Sequence, residues 1–344
     1  MSIALTVSLG APVASADSVI RADEWAGYLT SFVGEDGRVV DTANNNISHS
    51  ESQGYGMVLA VLADDRPAFE RIWSFTQTEL LVRDDGLAAW RWDPAATPHI
   101  TDTNNATDGD ILIAYGLALA GEAWGEPRFT EAAGRLARTI GRSMIVDLGG
   151  MPAILPGAEG FRKRSDGQGP IVNPSYWVFE AFPVLSALDP GTDWRAIAET
   201  GIELVRRARV TRSGVPPDWL VLDPAGTIRP APDMPVEFGY NGIRIPLYLM
   251  RAARNPVLLE TFRRQADASG LYKVDPTTGQ RLEPISEPGY RLIEAAMGCV
   301  VDNRPVPDEL RTMAATSYYA ATLQLLMLDH LRRNRPDCVG EAAP

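Results

Sequence analysis

The sequence predicts an all-α protein, an (α/α)6 barrel of six inner and six outer helices. Three observations carry that prediction. About twelve helical segments follow one another along 344 residues. They alternate in character, one apolar on nearly every side and the next amphipathic. The loops leading into the apolar segments are long, and those leaving them are short.

Helices are expected near 20–34, 51–64, 67–82, 107–124, 126–144, 174–187, 193–209, 239–253, 255–267, 287–301, 307–314 and 316–334. The second, fourth, sixth, eighth, tenth and twelfth contain "GMVLAVLA", "ILIAYGLALA", "YWVFEAFPVL", "IRIPLYLM", "LIEAAMGCVV" and "AATLQLLML". A helix apolar all round must be enclosed by others. Segments between them, such as "PRFTEAAGRLARTIG", space charges around an apolar stripe and belong on the surface. Enclosed and half-wet helices in turn make two concentric rings. A helical solenoid would need a repeat of fixed length, and none is present. Ser48-x-x-Glu51 fits a capping box that opens the second helix. Asn173 and Pro174 suit the N-cap and first position of the sixth. Short extended pieces, "RVVD" at 38–41 and "GLAAWRW" at 86–92, interrupt the loops. No low-complexity linker divides residues 17–344, which read as one catalytic domain.

Composition narrows the partners. The hydrophobic content of 45% allows a sizeable core. The formal charge of −12, from 44 acidic and 32 basic residues, excludes a nucleic-acid or anionic-membrane partner and would repel a polyuronate. A neutral or cationic polymer meets no such penalty. No apolar run reaches membrane-spanning length. Residues 1–16 read as a secretory signal that lacks the usual positive start and ends in Ala14-Ser15-Ala16, so the protein is expected to be secreted or periplasmic. The competing reading is an apolar N-terminal strand or helix of a cytoplasmic protein. Two cysteines and three histidines cannot build a Cys/His zinc cage of the usual spacing, and neither metal nor cofactor is expected. In the barrel the tenth and twelfth helices run parallel. Cys299, near the end of one, should therefore come within disulfide distance of Cys338, shortly after the other; the competing reading is a buried free Cys299 and a loose tail. A monomer is expected.

Parallel inner helices gather their N-termini on one face, where the loops 35–50, 83–106, 145–173, 210–238 and 268–286 also fall. Ser50, Glu51, Gln53 and Tyr55 begin the second helix. Asp102, Asn104, Asn105, Asp108 and Asp110 precede or open the fourth, and "NPSYW" opens the sixth. The eighth is led in by Asp218, Glu237, Tyr240, Asn241 and Arg244. Taken singly, Asp108, Asp110 and Asn173 read as helix caps. Polar side chains at four such ends, accompanied by Trp90, Trp92, Tyr176, Trp177, Trp219 and Tyr240, point instead to a sugar-binding cleft. Aromatic rings stack on the apolar faces of sugars. About half of these six are expected to be core. No nucleophile elbow, phosphate loop or dinucleotide fingerprint appears, and "TDGD" lacks the rest of a calcium loop.

"SESQGYGMVLAVL" resembles the S-E-G-x-x-Y-G-M segment of glycoside hydrolase family 8, and "ATDGDILIAYGLALAGEAW" its A-T/S-D-A/G-D signature. "NPSYW", "PDW" and "YNGIRIPLYL" match further landmarks in order, from about residue 20 to 325. The chain resembles the short bacterial endoglucanases of the cellulose-production type. The resemblance implies an (α/α)6 barrel and inverting hydrolysis of a β-1,4-linked polysaccharide. It makes Glu51 the general acid and Asp108 the aspartate that holds the sugar beside the scissile bond. Glu51 needs a raised pKa for that role, and Asp108 is a source of the negative charge that raises it. Two departures stand out. The family's "YDAIR" reads "YNGIR", so Asn241 replaces the expected base, and an amide cannot take a proton at neutral pH. Asp218, Asp223, Asp233 and Glu237 are the carboxylates of the preceding loop, with Glu237 placed first and Asp218 second. Ser52 replaces a usual glycine and is expected to narrow the space beside Glu51. The alternatives are a β-glucan-binding protein with impaired turnover, a chitosanase or xylanase of the same family, and, last, a polysaccharide lyase.

Overall fold

The computed structural model describes residues 19–162, 169–208, 211–223, 225–253, 256–267 and 270–340. The signal-like segment 1–16 lies outside the described residues. Eleven α-helices are present among them: α1 (Ala22–Phe32), α2 (Ser50–Leu62), α3 (Arg66–Phe75), α4 (Thr107–Ala123), α5 (Pro127–Ser143), α6 (Phe182–Leu188), α7 (Trp194–Ala208), α8 (Arg244–Arg251), α9 (Pro256–Arg263), α10 (Pro288–Asp302) and α11 (Tyr318–Asn334). The twelfth place, between α10 and α11, holds only a 3-10 turn, Asp308–Leu310.

The architecture is the expected (α/α)6 barrel. Buried residues run almost unbroken along α2, α4 and α11, as enclosure by neighbours requires. In α5 and α7 they form stripes instead, such as Phe129, Ala132, Ala133, Leu136, Ala137 and Ile140. In the inner ring α2 packs on α4 and α11, and α11 packs on α10 and α8. The two ends of the described chain are held together by a buried ion pair, in which Arg332 of α11 grips Glu24 of α1 through both nitrogens at 2.7 and 2.9 Å. On α8, Arg251 binds Glu180 at 2.5 Å and Asp329 of α11 at 3.2 Å, all three nearly buried.

The cleft-side loops carry four antiparallel two-stranded ribbons. These pair β1 (Ser48–His49) with β2 (Arg91–Trp92), β3 (Ile145–Asp147) with β4 (Pro152–Ile154), β5 (Leu220–Leu222) with β6 (Ile228–Pro230), and β7 (Leu271–Val274) with β8 (Arg281–Ile285). Only the first includes a piece expected from sequence, the end of "GLAAWRW". "RVVD" forms isolated bridges, Val33 to Val39 and Asp41 to Ile47, rather than a hairpin.

Other expectations fail for local reasons. The helix expected over 174–187 is broken into a 3-10 turn, Pro174–Tyr176, and α6. Pro183 lacks an N–H and tolerates only the first turn of a helix, so a new helix must start beside it. The helix expected from 239 begins at Arg244, because residues 239–243 turn around the carboxylate of Asp218, which accepts N–H bonds from Gly239 and Gly242. The capping box of α2 is not Ser48 with Glu51. His49 is the N-cap: its Nδ1 accepts the Ser52 N–H at 3.0 Å, and Ser52 Oγ accepts the His49 N–H at 3.1 Å.

Cys299 and Cys338 are bonded, with Cα atoms 5.8 Å apart across 39 residues of sequence. The bond ties α10 to the 3-10 turn Pro336–Val339 that follows α11. Replacing both cysteines by serine should lower unfolding free energy by about 3–4 kcal/mol in urea titration. Reductant should shift wild type toward the same midpoint and leave the double variant unmoved.

Candidate active site

Glycine sets the distance between the first two functional helices. A Cβ added at Gly109 would lie 2.1 Å from Ser50 Oγ and 2.7 Å from the Glu51 backbone nitrogen. One added at Gly54 would lie 2.5 Å from Leu112 Cβ. With hydrogens at both places, the N-termini of α2 and α4 touch, and Glu51 and Asp108 stand side by side.

Arg244, the first residue of α8, reaches between them. Its Nη1 donates to Glu51 Oε2 and, at 2.7 Å, to Asp108 Oδ2. Its Nη2 donates to Ser175 Oγ at 2.7 Å and Asn241 Oδ1 at 3.1 Å. The guanidinium is 1% exposed and lies 5.7 Å from the centroid of the Tyr176 ring. Burial alone would favour the neutral guanidine, but the carboxylates of Glu51 and Asp108 more than offset it and hold the charge. Burial pushes the Glu51 carboxyl above its ordinary value. Arg244 opposes the rise, while the Asp108 charge and a hydrogen bond to Asp108 add to it.

Above these groups opens a cavity of about 400 Å³. Glu51, Asp108, Trp90, Tyr176, Tyr240 and Asn241 line it, as the sequence placed them. Asp41, Asn44, His49, Ser50, Ala106 and Tyr319 complete the wall. A larger groove of about 480 Å³ lies between α3, α5 and residues 84–86, and shares no wall residue with this cavity.

The remaining expected site residues stand elsewhere. Arg244 lies beneath the cavity floor. Tyr55 is enclosed, its phenol bonded to that of Tyr248. Trp177 is fully buried and donates its indole N–H to Ile197 O at 2.7 Å, in a slot that a Cβ at Gly201 would fill. Asn105 is buried between Asp110 and Ala158. Trp92 packs on Phe75 and His99 and donates to Glu79 at 3.1 Å. Trp219 stacks on Phe161 and meets the Tyr176 ring edge-on at 6.2 Å, one layer outside the cavity. Ser52 faces the cap of α2 and donates to His49 O at 2.8 Å, so it does not narrow the space beside Glu51.

The two loop carboxylates differ sharply. Neither lines the cavity. Glu237 is 27% exposed and lies 3.7 Å from Lys273 Nζ. Asp218 is buried directly behind Asn241. Its Oδ1 accepts the Gly239 and Gly242 N–H groups, both at 2.9 Å, and the nearby Asn241 side chain also favours its charged form. Burial pushes it up to about 6 against those bonds.

Four polar or aromatic wall residues escaped the sequence analysis. Tyr319 sits in the first turn of α11, itself an inner-helix N-terminus, and its hydroxyl donates to Tyr240 O at 2.8 Å. The rule that found Glu51 and Asp108 would have found it. Asp41 and Asn44 come from an irregular loop with no periodic signal. His49 acquires a partner only in three dimensions, Asp41 Oδ2 at 3.4 Å.

Comparison with known proteins gives the family. The family described as glycosyl hydrolases family 8 matches residues 2–330. The chain belongs to that family. It is a glycoside hydrolase. A probable endoglucanase of Novacetimonas hansenii is 36% identical over 315 residues, 89% of each chain. An endoglucanase of Cellulomonas uda is 36% identical over 239 residues, 70% of this chain and 66% of the relative. Among solved structures, endo-beta-1,4-glucanase CMCax from Acetobacter xylinum is 34% identical with a TM-score of 0.82, covering 92% of this chain and 98% of its own.

Gly242 leaves the room that the Asp218 carboxylate occupies. A Cβ at Gly242 would sit 2.9 Å from Asp218 Oδ1 and 2.3 Å from the Phe238 ring, so the alanine of "YDAIR" would displace the Asp218 carboxylate. Because Arg244 neutralises two buried acids at once, Arg244→Met should cost about 3–5 kcal/mol in denaturant unfolding. Adding Asp108→Asn to that variant should restore part of the loss, since it removes the buried carboxylate left without its cation.

Proposed function

We propose that this protein is an endo-β-1,4-glucanase that cleaves a cellulose-like glucan with inversion. The observation carrying this reading is the pair Glu51 and Asp108 under one buried guanidinium, on the floor of a cavity walled by Trp90, Tyr176 and Tyr240. The endoglucanase descriptions of its relatives supply the substrate class.

Glu51, its carboxyl raised by burial, keeps a proton to give to the glycosidic oxygen. Asp108 is fixed through Oδ2 by Arg244 and through Oδ1 by the Gly109 N–H at 2.8 Å. It holds the sugar hydroxyls and offsets the positive charge that develops at the anomeric carbon. Inversion places a water across the ring from Glu51, with the two working carboxylates roughly 6.5–9.5 Å apart. Asn241 orients that water, and Asp218 behind it takes the proton. The buried position of Asp218 against Asn241 favours it over the more exposed, lysine-facing Glu237. Export is supported by the A-x-A pattern at Ala14-Ser15-Ala16 and by the disulfide, which persists in oxidising compartments.

Reducing-end release from carboxymethylcellulose tests the reading, together with the anomer first formed from cellohexaose. Wild type should release reducing ends as the α-anomer, and Glu51→Gln should lose activity while still binding. Wild-type binding without release would mean a glucan-binding protein that the Asn241 replacement has disabled. The pH profile assigns the base. Asp218 must be ionised, so kcat/KM should fall as pH drops through about 6. Glu51 must be protonated, which sets the alkaline limb above the ordinary carboxylate range. Asp218→Asn should remove the acid limb and cost roughly 100-fold or more. Glu237→Gln should keep the limb, and its loss there would reverse the assignment.

A further inference from the structure

One buried acid has no part in that mechanism. Asp110, one turn into α4, is fully enclosed, and no cation lies within ion-pair distance of it among the described residues. An isolated buried carboxylate is costly unless hydrogen bonds need it. Burial pushes this one up to about 7, against the pull of its two N–H donors; the charged groups that also act on it are Arg83 and Asp85.

Its bonds explain why the position holds an acid rather than an amide. Oδ1 accepts the Ala88 N–H at 2.8 Å, and Oδ2 accepts Asn105 Nδ2 at 2.8 Å. Asn105 cannot turn its amide round, because its own Oδ1 accepts the Ala158 N–H at 2.7 Å. Both oxygens of Asp110 therefore face donors that are fixed. Asparagine at 110 would aim an N–H₂ at one of them and leave it unsatisfied in the interior.

The tethered segment leads directly into the cavity wall. Two residues beyond Ala88, Trp90 donates its backbone N–H to Asn104 O at 2.8 Å and its indole N–H to Asp102 Oδ2 at 2.8 Å. Its carbonyl accepts the Ser50 N–H at 3.1 Å, one residue before Glu51. We infer that Asp110 is a positioning residue for glucan binding, fixing the Trp90 platform through Ala88 and joining it to the 102–106 and 156–158 segments. This rests on the β-1,4-glucan reading above. It adds that part of the affinity for the polymer is set by a residue the sugar never touches.

The test uses cellohexaose binding by calorimetry, with Glu51→Gln in every protein so that turnover plays no part. Asp110→Asn should weaken binding about tenfold, the scale of one lost buried hydrogen bond. Trp90→Ala should weaken it as well. Once Trp90 is gone, adding Asp110→Asn should change affinity less than about twofold, because the platform it positions is absent. Full additivity of the two losses, or unchanged affinity in Asp110→Asn, would overturn the inference. If Asp110→Asn does not fold, Asn105→Ala in the same cycle removes the Oδ2 donor and must show the same dependence on Trp90. Absence of cellohexaose binding by the Glu51→Gln parent would instead sink the glucan reading, so the two failures are distinct.

Discussion

A single buried positive charge organises this molecule. Arg244 lies at the floor of the cleft, held by Glu51, Asp108, Ser175 and Asn241, which come from four different parts of the inner ring. A guanidinium out of water is unfavourable unless paired and fully bonded, and two acids sharing it answer that requirement. The same arrangement creates chemical asymmetry. One of the acids, Glu51, retains its proton more readily than an ordinary carboxyl because its neighbour is negative and water is excluded. Remove the cation and the two acids repel; separate the helices and the cation loses its second partner.

Helix contact makes the arrangement achievable. Gly54 and Gly109 let α2 and α4 meet more closely than any side chain would allow, and Gly242 lets the carboxylate of Asp218 tuck behind Asn241. Each hydrogen-for-methyl choice lies beside a functional group, so backbone packing and chemistry constrain one another. The opposite face of the barrel uses charge differently. There Arg251, Glu180 and Asp329 form a closed buried network outside the cavity wall, and its role is to hold α8 against α11.

The barrel was legible in the sequence because enclosure leaves a direct mark: α2, α4 and α11 are apolar on all sides, and α5 and α7 are not. Boundaries were less legible. Pro183 and the Asp218 turn broke two expected helices, and the second depends on a residue more than twenty positions away. The ribbons β3/β4, β5/β6 and β7/β8 left no usable alternation because their strands are only three to five residues long. In the site, Glu51 and Asp108 were placed by their position in the first turn of an inner helix, while Tyr319, at the same place in α11, was missed. Aromatics were harder: Trp90 and Trp177 both lie beside an inner-helix N-terminus, and only the slot at Gly201 makes Trp177 core. The Asp41–His49 contact could not be read at all, since it arises from a loop folding back on the helix it precedes.

The most direct test is a carbon-13 NMR titration of the Glu51 carboxyl, assigned by comparison with Glu51→Gln and repeated in Asp108→Asn. Wild type should show a midpoint above the ordinary 4.5 that moves down when the Asp108 charge is removed. A wild-type midpoint at or below 4.5, unchanged in Asp108→Asn, would contradict it.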